Sequence, residues 1–425
     1  MVNQHDKLRE VSWNELFRWL VLLRAVRIAL LARVLVLGAM GLAATTLGWR
    51  AIDYVFSANS DPVVHGTEWQ TTISDWLWNK SPEFSIVTSA QSADALFEQV
   101  KEGLPEAPVS LWLYLTRPFI NLFHGDLTPI GFIYFVLCGV WELLVWGLFG
   151  GAIARIAALK FTRDEAPDLP GALKHAASKL TSYSMAPLLA LAGAAVFGVQ
   201  LALLGWIMRL DVLAMVAGFF WPFTLLLGLL MAILLIGALA GWPLMWATVA
   251  VEGTDAFDAL SRSYAYTYQR PLRLLWYVLL AAILAAVSMF IVKLFATSAI
   301  SLGNWSVSWG LDEQTYRQIV APLSTDAAAA TSDLTGTNWL AATSISFWKS
   351  LLGALAAGYQ AGFLFVAAVG VYLLLRKDID GAEMDEVYVE DEPDFGMPPL
   401  ADDHVTGVPE VQSDLAAPPE SSTVD

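Results

Sequence analysis

The sequence predicts an all-α integral membrane protein: about six transmembrane helices with interfacial helices, one large outer loop and a disordered acidic C-terminal tail. Three observations predict this. The 425 residues are 56% hydrophobic and only 15% charged, with a mean hydropathy of +0.55, where a soluble domain averages about 25% charged. Several apolar runs exceed the roughly 18 residues that a helix needs to cross hydrocarbon. Lysine and arginine are divided unevenly between the segments that join those runs.

The formal net charge of −16 belongs to the tail. Asp378–Asp425 carries 15 acidic residues and no lysine or arginine, which leaves 25 acidic and 24 basic residues in the rest. The body therefore has no basic excess of the kind that binds nucleic acid. Cys138 is the single cysteine, so neither an intramolecular disulfide nor a thiolate metal cluster can form. About 28 residues precede the first apolar core. That core is long, and no small-x-small site follows it, so it reads as a membrane anchor and not as a removable signal.

Taken in order, residues 1–28 form a cytosolic segment. Ser12-x-x-Glu15 is a capping box, and an interfacial helix from about Trp13 leads into a first span near 28–49. Gly38 and Gly41 in that span permit close helix contact. Residues 50–127 form the large outer loop, read as a cap on the outer leaflet or, second, as a small globular domain. Within it Ser110–His124 is aromatic and apolar but too short to cross, which suits an interfacial or re-entrant piece. The second span, 129–153, is followed by Arg155, Lys160, Arg163, Lys174 and Lys179. The third, 186–208, carries Pro187 in its first turn.

The run Leu213–Val251 is too long for one straight crossing. Pro222 divides it into a shallow piece and a fourth span at 222–249, and Pro243 kinks that span. The residues leave open whether the run crosses once or includes a re-entrant piece. The fifth span is 274–297, a second outer loop covers 298–345, and the sixth span is 348–375. There Ala354, Gly358 and Gly362 form a small-xxx-small ladder, read as packing within the chain in preference to dimerisation. The tail, 378–425, is rich in acid and proline and has few large apolar residues. It reads as disordered, either a solubilising tail or a partner-binding one.

Orientation follows from the basic residues. With the N-terminus inside, inner segments hold 16 lysines and arginines and outer segments seven. Six crossings then put both termini in the cytosol. The 18 tryptophans, many near span ends, fit interfacial belts.

The connector EGTDAFDALSRSYAYTYQRP (252–271) reads as a cytosolic helix between the fourth and fifth spans. Gly253 ends the incoming helix, Thr254 caps the next, and Asp255 and Asp258 sit in its first turn. Pro271 closes it. Phe257, Leu260, Tyr264 and Tyr268 share one stripe. Asp255, Asp258, Arg262, Tyr266 and Gln269 lie opposite, with Asp258 and Arg262 as an i, i+4 pair. Two readings stand: a docking helix with Asp255, Asp258, Arg262 and Arg270 as its contacts, or a structural linker at headgroup level.

This connector, with the flanking GWPLMW (Gly241–Trp246), resembles a family of uncharacterised bacterial multi-pass membrane proteins. In that family an EG-x-DAFDA-x-SRSY-x-Y-x-x-QRP segment precedes a span. Leu373–Glu390, LLLRKDIDGAEMDEVYVE, resembles the end of the family's last span, and Pro170–Pro187 does so more loosely. A looser EG…AL-x-RS pattern occurs in membrane domains attached to glycerophosphodiester phosphodiesterases. The resemblance covers most of the membrane part but not the large outer loop. It implies a shared topology in a bacterial inner membrane and no known reaction, and the phosphodiesterase catalytic domain has no counterpart here.

Charged groups at membrane depth are costly, so they are the first functional candidates. Glu142 lies in mid-span, roughly 18 Å from the outer end by helix rise. It reads either as a proton or cation site or as a neutral carboxyl joining helices by hydrogen bonds. Lys293, near the outer end of its span, can snorkel to the headgroups. Gln200 and Gln360 suit interhelical hydrogen bonds.

The sequence has no H-E-x-x-H, Walker A, G-x-S-x-G or G-x-G-x-x-G motif, and none of its five histidines falls in an expected span. Asp402-Asp403-His404 is too weak a pattern for a metal site. No catalytic, cofactor or metal residue is therefore assigned. The expectation is a non-enzymatic membrane protein that acts as a scaffold or organises partners or lipids. The alternative is a transporter or channel using Glu142. The lipid bilayer is the expected partner, with a possible protein partner at the connector or the acidic tail.

Overall fold

Helices form wherever the apolar runs are long, because a chain in hydrocarbon can satisfy its backbone groups only internally. The computed structural model describes residues 18–56, 106–123, 127–165, 167–320, 336–388, 400–402 and 409–411. In chain order the helices are α1 (Val21–Ala29), α2 (Ala32–Phe56), α3 (Glu106–Asn121), α4 (Pro129–Thr162), α5 (Leu169–Ser178) and α6 (Leu180–Ile207). They continue with α7 (Asp211–Phe219), α8 (Trp221–Glu252), α9 (Ala256–Gln269), α10 (Pro271–Ser308) and α11 (Thr337–Ile379). Six of them, α2, α4, α6, α8, α10 and α11, are long and apolar enough to cross a membrane. The protein is an all-α multi-pass membrane protein.

The expected N-terminal helix start at Trp13, the loop over 57–105 and most of the tail lie outside the described residues. In the tail, described by itself, β1 (Leu400–Asp402) and β2 (Pro409–Val411) pair antiparallel. The chain breaks its helix at Leu30 and Leu31, so the first crossing helix begins at Ala32. The helices α10 and α11 run beyond the expected limits, to Ser308 and from Thr337, which shortens the second outer connection.

The nearly 40-residue apolar run divides at Phe220, one residue before the expected shallow piece ends. Pro222 lies in the first turn of α8, where its missing N–H costs no hydrogen bond.

Helix α11 is the centre. Of its most apolar 18 residues 94% are buried, against 6% for α8 and 11% for α6 and α10. The sides of α6, α8 and α10 instead present Val196, Leu203, Leu225, Leu229, Leu275 and Leu279 outward. A continuous apolar surface of this kind has the bilayer as its solvent.

Lipid tails are as apolar as leucine, so close packing has to hold the centre together. Glycine provides it. A methyl group at Gly38 of α2 would lie 2.2 Å from the Gly358 carbonyl oxygen of α11, and one at Gly358 would lie 2.3 Å from the Leu35 carbonyl oxygen. Gly362 is filled by Val34 and Gly41 by the Trp146 ring. The small-residue ladder is thus an α2–α11 contact within the chain through Gly358 and Gly362. Ala354 is a correction: it is exposed, and Gly353 and Ala357 occupy the buried face at that level.

Aromatic rings fill the level below. Phe365 of α11 stacks between Trp146 of α4 (5.2 Å, 27°) and Trp246 of α8 (5.5 Å, 10°). Trp242 meets Trp246 edge to face at 5.5 Å. Past Pro243 helix α8 changes character, and Leu244–Val251 is buried without a break.

Replacing Gly358 by Val forces backbones apart and should cost about 1–3 kcal/mol. The purified Gly358→Val protein should therefore melt several degrees below wild type in detergent. Ala354→Val, on the exposed side, should melt with wild type. Equal melting of all three would contradict the α2–α11 contact.

Candidate functional site

A cavity of about 250 Å³ lies between α3, α4, α6 and α8. Each wall follows from local sequence. On α4, Glu142 and Trp146 are spaced i, i+4, which sets them on one face. On α8, Trp242 and Trp246 have the same spacing. Pro187 and Leu191 of α6 and Leu115 and Phe119 of α3 complete the sides. The short aromatic piece expected over Ser110–His124 forms most of α3. It packs on α4, with Phe119 against Gly139, where a methyl group would lie 2.8 Å from the ring. Ile120, Phe123 and Leu239 line the cavity and are also exposed, so its mouth lies on the lipid-facing surface between α3 and α8.

Glu142 is the one ionisable residue in the lining, and it is 3% exposed. No lysine, arginine or histidine lines the cavity. Among the described residues, Glu142 Oε2 has no hydrogen-bond partner, and neither does Nε1 of Trp146, Trp242 or Trp246. A buried polar atom left unmatched costs roughly 1–3 kcal/mol. All four atoms are closed off behind carbon, so the wall that the cavity presents is almost wholly apolar. Lys293 is on α10 and does not line it. The three tryptophans were not singled out by the sequence analysis. Their signal was the pair of i, i+4 spacings, one beginning at Glu142.

The second candidate, the connector, is α9. Asp255, and not Thr254, is its cap and accepts from the Asp258 N–H at 2.9 Å. Gly253 ends α8 in the left-handed region at φ 64°. The stripe of the helix is turned from the expected one. Ala259, Ser263, Tyr266 and Thr267 are buried, while Phe257 and Tyr268 are exposed.

The reason is that α9 lies against α8 at two glycines: Gly237 faces Tyr264, and Gly241 faces Ser263 and Thr267. Ser263 Oγ donates to the Gly241 carbonyl at 2.7 Å and Tyr264 to Leu234 at 2.6 Å, and Tyr268 donates to Ile233. Burial pushes the Tyr264 phenol up to about 12. Burial also raises Tyr266, and the Asp380 carboxylate adds to the shift. Both phenols therefore remain proton donors at neutral pH.

Arg262 does not pair with Asp258. Its guanidinium meets Glu252 at 2.8 Å. Glu252 also accepts from the Tyr372 hydroxyl at 2.5 Å and lies 3.3 Å from Arg376 Nε. Asp378 joins three elements: Arg18 at 2.8 Å, Arg273 at 3.0 Å and the Tyr277 hydroxyl at 2.8 Å. Tyr266 donates to Asp380. Of the four proposed docking contacts, Asp255 and Arg262 thus have partners within the chain, and Asp258 and Arg270 are exposed. Among the described residues no group of three metal-ligating side chains converges.

Glu252 is nearly buried, so removing its partner matters more than removing a surface charge. Arg262→Met should lower the melting temperature measurably, whereas Asp258→Asn should leave it within about 0.5 kcal/mol of wild type. Equal effects would refute the pairing.

No family model, curated protein or solved structure matches the chain.

Proposed function

We propose that this chain is a non-enzymatic membrane protein that holds and organises membrane lipid, with the cavity beside Glu142 as its lipid seat. One observation carries the reading: an apolar cavity opens onto the lipid-facing side of the bundle. The shape suits a guest that arrives from the bilayer with its chains trailing back into it. The resemblance of the connector and of the last span's end to bacterial multi-pass proteins supports placement in a bacterial inner membrane. The excess of basic residues at the ends of α4, α8 and α11 supports cytosolic termini.

Native mass spectrometry of the full chain released from its membrane tests the reading. Wild type should carry bound lipid, and Ala238→Phe, which grows a ring from the cavity wall, should lose most of it while melting normally. Retention of the same lipid by the filled variant would end the proposal.

A second reading rests on Glu142 being the cavity's single ionisable group. A transporter would exchange a proton for a cation at that carboxyl. Proteoliposomes should then show flux with wild type that falls at least tenfold with Glu142→Gln. Equal flux, or none, removes this alternative.

A further inference from the structure

Resting on the lipid-seat reading, we infer that the cavity takes the hydrocarbon end of one acyl chain of a bilayer phospholipid. The head and the rest of that lipid stay in the bilayer. Depth is the first argument. The cavity takes its walls from the middle of three spanning helices: Leu143 and Trp146 of α4 (Pro129–Thr162), Leu191 of α6 (Leu180–Ile207), and Leu235 and Leu239 of α8 (Trp221–Glu252). At about 1.5 Å per residue, each lies roughly 16 Å or more from both ends of its helix. The hydrocarbon core is about 30 Å thick, so its middle is about 15 Å from either layer of heads. At that depth the bilayer presents chain ends.

Polarity agrees. A head drawn to the middle of the bilayer would leave water and enter a space whose wall is almost wholly apolar. No lysine, arginine or histidine lines that wall to meet a phosphate. The unmatched oxygen of Glu142 and the indole nitrogens are closed off and offer a guest nothing to bond with. The mouth is also apolar, since Ile120, Phe123 and Leu239 are its exposed residues. A chain end needs no partner and is already at this depth.

Size sets how much of the chain enters. At about 30 Å³ for each methylene or water-sized group, a cavity of about 250 Å³ takes about eight of them. That is the outer half of a palmitoyl chain and not a whole lipid. Water does not compete, because apolar cavities stay dry and take apolar guests. The bilayer is as apolar as the wall, so what draws the chain in is contact. Side chains around an empty space lack partners for dispersion on one side, and a chain end restores them. A seat of this kind grips a lipid by its tail and does not read its head.

Photolabelling of the full chain in phospholipid nanodiscs tests this, with mass spectrometry locating the label. The probe is dipalmitoyl phosphatidylglycerol with a diazirine either at the end of one chain or beside its carbonyl. The end probe should label Leu143 and Leu235 of the cavity wall at least threefold more than the carbonyl probe. The same end probe on phosphatidylethanolamine should agree with it within threefold. Ala238→Phe and Leu191→Phe, which fill the cavity from two different walls, should each remove most of this label. Ile236, exposed on the outer side of α8 at the same depth, should be labelled equally in all three proteins, each first shown to melt as a folded protein.

Labelling of Leu143 and Leu235 by the carbonyl probe within threefold of the end probe, or beyond it, overturns the chain-end assignment. So does a difference above threefold between the two heads. If the filled variants remove the label in those cases, the lipid seat itself stands. If neither probe reaches Leu143 or Leu235 while Ile236 is labelled, or if the label survives both filled variants, the seat fails as well.

Discussion

Hydrocarbon offers a peptide group nothing to bond with, and the rest of this structure depends on that constraint. Within a long helix the backbone satisfies itself, so the difficulty moves to the helix ends, where carbonyls have no partner. Here α4, α8 and α11 all end at one end of the bundle, and basic side chains meet the last carbonyls of α4 and α8. Arg24 donates to Lys160 at 3.0 Å and to Phe161 at 3.3 Å. Arg155 donates to Ala250 at 3.0 Å, and Lys179 to Gly253 at 2.6 Å. Cations at a helix C-terminus also oppose its dipole. The residues that indicate orientation by their number are, in place, helix caps.

The same end shows why the connector is a helix folded onto α8 and not one floating at the headgroups. A surface helix would keep its tyrosines in the interface. Instead Gly237 and Gly241 open the face of α8, and the hydroxyls of Ser263, Tyr264 and Tyr268 reach carbonyls of α8. Ion pairs and hydrogen bonds then tie α9, α10 and the turn that precedes α1 to the end of α11 through Glu252, Asp378 and Asp380. Residues of Glu252–Pro271 and Leu373–Glu390 meet in this cluster, joined by Arg18, Arg273, Tyr277 and Tyr372. It is a closed arrangement of matched charges, so its physical role is to fix the helices.

The middle of the bundle is the opposite case. Around Phe365 the packing is dense and aromatic, yet beside it lies an apolar cavity lined by Trp146, Trp242 and Trp246. Here the mouth of the cavity faces the one solvent from which an apolar guest can come.

Much of the fold was legible in the sequence because length and hydropathy act locally. Six apolar runs, the glycine after Glu252, the Pro222 division and the glycines of α2 and α11 each follow from a few neighbouring residues and the lack of water. Glu142 was legible for the same reason, as a carboxyl where none is cheap. Tertiary structure alone decided what each residue faces. Ala354 is exposed although it keeps the ladder's spacing, because α2 crosses α11 at Gly358 and passes on. Tyr266 is buried although it shares a stripe with charges, because its hydroxyl donates a hydrogen bond to Asp380, 114 residues away. Trp242 and Trp246 became cavity walls only when α8 met α4 and α3. Periodicity fixes which residues share a side of a helix, and helix-to-helix packing fixes what that side meets.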